Sequence, residues 1–186
     1  MPKTKKANKK NKTKTRKRTS CPKTDRGWVK TLLFPIQKPR THGHIKVSDL
    51  HTVAYYTYGN PSGTPHLCLH GGPGSCTTNT ITDMFDLKKH FLVAIDQRGC
   101  GKSTPAGELR ENTTQDLIAD IETVRKQLNI EKWILVGFSW GSTLAIYYAQ
   151  QHDNRVRGML IGGVFLGSAR ETDYVENGRL VQLVFP

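Results

Sequence analysis

Trp133-Ile134-Leu135-Val136-Gly137-Phe138-Ser139-Trp140-Gly141-Ser142-Thr143-Leu144-Ala145-Ile146-Tyr147-Tyr148-Ala149 decides the fold. Four apolar residues without a polar break, Trp133 to Val136, read as a strand buried on both faces. The helix-length run from Ser139 to Gln151 follows at once. Between them stands Gly-x-Ser-x-Gly, with small residues at 137 and 141 that allow a sharp turn holding Ser139 Oγ above the sheet edge. Unpaired N–H groups at the start of the helix favour negative charge developing at that point. Ser139 is thus a candidate nucleophile, and a capping serine between two glycines is the structural alternative.

Outward from this centre, Phe91 to Ile95 and Val156 to Val164 are further apolar strands, the latter interrupted by Gly162-Gly163. A helix starting at Asn112-Thr113-Thr114 and ending at Asn129 carries Leu117, Ile121, Val124 and Leu128 on one stripe. Glu122 and Lys126 are spaced for a surface pair. Upstream, His44 to Val47 and His51 to Gly59 read as a hairpin across Ser48 to Leu50, and His66 to His70 as another strand after the turn Asn60-Pro61-Ser62-Gly63. Alternating strands and helices predict an α/β fold: a mostly parallel sheet led by an antiparallel hairpin, with helices on both faces. No internal repeat is visible.

The second chemical element is His70-Gly71-Gly72-Pro73-Gly74, directly after a strand. Acyl transfer needs two backbone donors aimed at the oxygen that becomes negative, and the N–H groups of Gly72 and Trp140 are the candidates. Taken alone, such a loop reads as a plain turn. His70 reads as a support for it. The third element is Asp96-Gln97-Arg98-Gly99-Cys100-Gly101-Lys102-Ser103, at the strand end where α/β sites gather. Asp96 and Arg98 are expected to pair and brace the loop, with contact to substrate as the alternative, and Cys100 to be open to thiol reagents. Neither glycine-rich loop has the spacing of a phosphate-binding loop or a dinucleotide fingerprint, so no nucleotide is called for; no other cofactor and no metal is expected.

The 186 residues contain 36% hydrophobic side chains and carry a net charge of +13. Ten Lys or Arg and no acid fall in the first 20 residues, so the remainder carries only +3. Residues 1–26 are expected to be a disordered basic tail and 27–186 one domain. Residues 3–18 suit nonspecific contact with nucleic acid, an anionic surface or an import receptor, or a solubilising role. No apolar run has membrane length, no Cys-x-x-Cys spacing occurs among four cysteines, and a cytoplasmic location is the expectation, with nuclear or organellar targeting by the tail as the variant.

A triad base and acid follow the serine in this architecture. The one later histidine, His152, lies thirteen residues on, about 20 Å along the helix. The chain also stops at Val184-Phe185-Pro186 without a closing element, leaving the strand Trp133 to Val136 short of partners on one side. It reads as a C-terminally truncated and inactive polypeptide whose catalytic Asp and His are not in this chain.

The conjunction of His70-Gly71-Gly72-Pro73-Gly74, Asp96-Gln97-Arg98-Gly99-Cys100-Gly101-Lys102-Ser103, Asn112-Thr113-Thr114 with Asp116-Leu117 and Asp120-Ile121-Glu122, and Ser139-Trp140-Gly141-Ser142-Thr143-Leu144-Ala145 resembles the proline iminopeptidases, from about Thr31 onward. The resemblance implies an α/β-hydrolase core with a later helical cap, and metal-free release of N-terminal proline from peptides by a Ser-Asp-His triad through an acyl-enzyme. It makes Ser139 the nucleophile, Gly72 and Trp140 the oxyanion donors, and Phe165 an aromatic of the prolyl pocket, with the amine-binding glutamates in the absent cap. This chain departs from the family at Phe138, where glycine is usual, at Gly162-Gly163, where Arg-Gly is usual, and at Val175, where an aromatic is expected and Tyr174 stands beside it. Another hydrolase activity, an esterase or broader aminopeptidase, preserves every local feature. A noncatalytic basic-tailed fragment is the reading from a different class.

Overall fold

A computed structural model describes residues 33–176. The basic tail expected over 1–26 and the C-terminal residues 177–186 lie outside the described residues. Six strands form one sheet: β1 (Thr41–Lys46), β2 (Thr52–Gly59), β3 (Thr64–Leu69), β4 (His90–Asp96), β5 (Trp133–Phe138) and β6 (Val156–Gly162). Their spatial order is β1-β2-β4-β3-β5-β6. The β1-β2 and β2-β4 pairs are antiparallel, and β4-β3, β3-β5 and β5-β6 are parallel. The expected hairpin is present, turned at Ser48, whose Oγ accepts from the N–H groups of Leu50 and His51.

Period-two alternation gives the inner strands β3, β4 and β5 two buried faces. Leu67, Leu69, Val93, Ile95 and Leu135 point to one side, where α1 (Thr114–Gln127) and α2 (Trp140–Gln151) cover them with Leu117, Ile118, Ile121, Val124, Leu144 and Tyr148. Cys68, Leu92, Ala94 and Val136 point to the other, against Tyr58, Phe85 and a short 3-10 stretch, Asn79–Met84. A third helix, α3, spans Ala169–Glu176. The stripe read from the sequence is the buried face of α1, with Ile118 added and Leu128 partly buried. Thr113 and Asp116 form a reciprocal capping box at its start, and Asn129 follows its end at φ 53°.

Two expectations are corrected. Glu122 does not make a surface pair with Lys126. It is buried and receives Nε and Nη2 of Arg125 at 2.7 and 2.8 Å and Tyr148 Oη at 2.6 Å, because α2 packs over this face of α1 and selects the inward i+3 partner. Nor is β5 an open strand, since β3 and β6 flank it on both sides. Among the described residues the edge on this side is one strand further out, on β6, where Met159 and Leu160 are each 47% exposed.

The Arg125 guanidinium holds the Glu122 carboxyl down to about 2, against 4.5 for an unperturbed glutamate. A depressed carboxylate stabilises fully above its unfolded pKa and loses that contribution as pH falls through the folded one. The stability difference between the parent and Glu122→Gln should therefore be constant above about pH 4.5 and shrink toward pH 2. Urea midpoints measured across that range check this; a difference independent of pH would contradict it.

Candidate active site

Strand order places the site. β4 and β5 lie on opposite sides of β3, so the chain changes direction across the sheet there, and the C-terminal ends of these three parallel strands open a crevice. The glycine loop leaves β3, the Asp96 loop leaves β4, and Ser139 leaves β5.

Ser139 is exposed, with φ 54° and ψ −126°, a conformation that costs of order 1–3 kcal/mol in a residue with a Cβ. It is held by neighbours on both sides. Its N–H donates to Gly162 O on β6 at 3.1 Å, and its carbonyl accepts from Ser142 N at 2.8 Å and Ser142 Oγ at 2.6 Å. Its own Oγ makes no hydrogen bond to a described residue. Trp140 is the first residue of α2, so its N–H belongs to the unpaired first turn. The turn requires close backbone approach at Gly141, where a Cβ would stand 2.2 Å from Leu69 O. Gly71 is also tight, though less so: a Cβ there would meet Phe138 O at 3.0 Å and Ser139 Cβ at 3.2 Å. The glycine loop therefore lies directly against the serine, with Gly72 next at φ 118°, then Pro73 and Gly74.

Gln97 ties these parts together. Its backbone N–H donates to His70 Nε2 at 3.0 Å, its Nε2 donates to His70 O at 2.9 Å, and its Oε1 accepts from Trp140 Nε1 at 2.9 Å. With Nε2 of His70 accepting, the ring proton sits on Nδ1 and points to Gly71 O at 2.9 Å, a tautomer fixed by this network. Burial pushes the His70 pKa below its ordinary value. Both ring nitrogens are engaged, so His70 braces the loop and has no site for a serine proton. His152 caps the far end of α2 against the Tyr148 ring, 5.0 Å away.

Asp96 and Arg98 brace the site separately, against the expected pairing. Asp96 accepts from Tyr56 Oη at 2.9 Å, Thr77 N at 2.7 Å and Lys102 N at 2.9 Å. Arg98 makes a two-pronged pair with Asp120 on α1, both bonds 2.7 Å, and also donates to Glu111 O. The turn closed by Cys100 N on Gln97 O breaks strand alternation after Asp96 and sends Arg98 to α1. Cys100 is only half-buried, but its thiol donates to Arg98 O at 3.3 Å, and burial raises its pKa; Cys76 is the exposed cysteine here.

Sequence reasoning missed the work of Gln97, Ser142 and Thr143. Ser142 Oγ accepts from Phe165 N at 3.1 Å and Thr143 Oγ1 donates to Phe165 O, so the two hydroxyls after the elbow fasten the 163–166 segment to α2. Phe165 is half-buried on that first turn. A cavity of about 410 Å³ beside the elbow is lined instead by Phe138, Gly71, Cys76, Thr80, Ile81 and Met84 among others. The signal for the missed residues was present: hydroxyls at two successive positions just inside an otherwise apolar helix need partners.

A strained serine at a strand-to-helix bend, faced by a glycine loop at the switch point of a parallel sheet, is the arrangement of the α/β-hydrolase class, and the alpha/beta hydrolase fold family matches residues 65–177; the chain belongs to that family. Within the family its similarity is to proline iminopeptidases. It is 49% identical over 139 residues to a probable proline iminopeptidase of Leptolyngbya boryana, covering 75% of this chain and 43% of that one. Against the proline iminopeptidase of Neisseria gonorrhoeae it is 42% identical over 154 residues, 83% of this chain and 50% of that one. The crystal structure of an esterase from Rhodococcus sp. superposes with a TM-score of 0.59 at 25% identity, over 69% of this chain and 48% of that one. The chain thus spans half or less of the length of these relatives. Among the described residues, no helix is long and apolar enough to cross a membrane.

Proposed function

We propose that this chain provides the nucleophile and oxyanion loops of a serine aminopeptidase that releases N-terminal proline from peptides. The observation that carries this reading is the exposed, strained Ser139 set against Gly71, in a sequence 42–49% identical to proline iminopeptidases. Ser139 Oγ attacks the prolyl carbonyl, and the N–H groups of Gly72 and Trp140 receive the developing oxyanion. An acyl-enzyme forms and water then releases proline. All seven histidines of the sequence lie among the described residues, and none hydrogen-bonds Ser139. On this reading the base and its orienting acid are supplied from outside these 186 residues, and the chain alone turns over no substrate. Phe165 supplies an aromatic wall of the prolyl site, and His70, Gly71, Pro73, Gly74, Asp96 and Arg98 hold the loops. Lys and Arg within residues 3–18 add a salt-dependent, nonspecific contact with polyanions.

Substrate choice tests this reading in a polypeptide that unites these residues with a base-bearing remainder. A site built around the free secondary amine should reject N-acetylprolyl substrates by about 10²-fold or more in kcat/KM. Alanyl substrates should also be slower. Equal turnover of blocked prolyl substrates or simple esters would replace the exopeptidase reading with an esterase.

A further inference from the structure

We propose that Cys76 and Cys100 are a paired thiol-modification site, at which a low-molecular-weight disulfide of the glutathione class leaves an intramolecular disulfide tying the glycine loop to the loop after β4. The two cysteines sit on separate loops that one carboxylate draws together. Asp96 Oδ1 accepts from Thr77 N, the residue after Cys76, and Oδ2 accepts from Lys102 N, two residues after Cys100. Two such bonds on one carboxylate place these backbone nitrogens within about 8 Å of each other. The backbone of Gly74, two residues before Cys76, and the Cys76 thiol both act electrostatically on the Cys100 thiol. A disulfide needs its Cα atoms about 4.4–6.8 Å apart. The segment 71–78 contains no helix or strand to hold Cys76 against such closure.

The surroundings assign an order to the chemistry. Cys76 is exposed at the wall of the cavity that Gly71 and Phe138 share, whereas Cys100 is half-buried. The Cys76 thiolate attacks one sulfur of the external disulfide, releasing one small thiol and leaving a mixed disulfide. Cys100 then loses its proton to water and its sulfur displaces the second small thiol. Two protein thiols are oxidised and one external disulfide is reduced to two thiols. Burial pushes the Cys100 thiol up, so the closing step should quicken as pH rises. Cys68 stays outside the exchange, being fully buried with its thiol pushed up to about 12. Nothing in this site depends on the chemistry assigned to Ser139.

The test uses the full chain with Cys21→Ser, which removes the remaining cysteine. After incubation with glutathione disulfide and acid quenching, intact mass should fall by two hydrogens, and peptide mapping should recover Cys76 joined to Cys100. Cys100→Ser should stop at a single glutathione adduct on Cys76, and Cys76→Ser should give no cross-link. The same oxidation in denaturant should spread pairing over Cys68, Cys76 and Cys100. A parent protein that stops at the adduct, pairs through Cys68, stays unreacted, or gives the same product mixture folded and unfolded would overturn the proposal.

Discussion

Replacing Ser139 by Ala, in a polypeptide that includes the base, is expected to lower kcat by about 10⁴–10⁶-fold while leaving KM and stability nearly unchanged. The nucleophile acts as a unit with its base and acid, so its loss alone removes most of what the three achieve together. Stability should hold because Ser139 Oγ has no hydrogen-bond partner among the described residues to lose, and alanine carries the same Cβ at φ 54°. Glycine at this position separates strain from chemistry. Ser139→Gly should be as inactive as the alanine variant yet about 1 kcal/mol more stable, since the left-handed conformation no longer holds a Cβ against the backbone. Turnover of a prolyl amide, read beside urea midpoints, checks both halves. A tenfold or smaller fall in kcat would show that another group performs the attack. On the proposal that the base lies outside the 186-residue chain, parent and Ser139→Ala of that chain should be indistinguishable in turnover.

Much of this arrangement was legible in the sequence where one physical cause acted locally. Trp133 to Val136 followed by Gly-x-Ser-x-Gly could only be a buried strand entering a helix, and Leu117, Ile121 and Val124 could only face a core. The neighbours of polar side chains were less legible, because a turn or a covering helix chose them. Arg98 finds Asp120 rather than Asp96 because the chain bends at Gln97. Glu122 finds Arg125 rather than Lys126 because Tyr148 arrives from α2 and closes that side off from water. Gln97 was invisible for a related reason: its three hydrogen bonds go to His70, just after β3, and to Trp140 on α2, and no spacing along the chain brings them together. Among the described residues the edge belongs to β6 rather than β5 because strand order follows from the crossovers, which apolar runs do not encode.

Removing Asp120 should be among the most damaging single changes to the fold. Asp120→Ala leaves the Arg98 guanidinium, whose side chain is 4% exposed, without its two-pronged partner, and an uncompensated buried charge of this kind costs about 3–5 kcal/mol. Asp116 cannot replace it at full strength, since it stands 3.7 Å from Nη1 and a third of its side chain faces water. The cost should also reach the candidate site, because Arg98 follows Gln97 and anchors the turn that lets Gln97 hold both His70 and Trp140. Two further variants separate charge from packing. Replacing both partners by apolar residues of similar volume, Arg98→Met with Asp120→Leu, should recover much of the loss, since no charge is then left buried. In the same double variant the Trp140 indole should remain more mobile than in the parent, because methionine cannot make the bond to Glu111 O that fixes the turn. Urea unfolding gives the coupling energy, and Trp140 fluorescence anisotropy, isolated by replacing Trp28 and Trp133, gives the local readout. An Asp120→Ala loss below about 1 kcal/mol would mean that the ion pair contributes little to either fold or site.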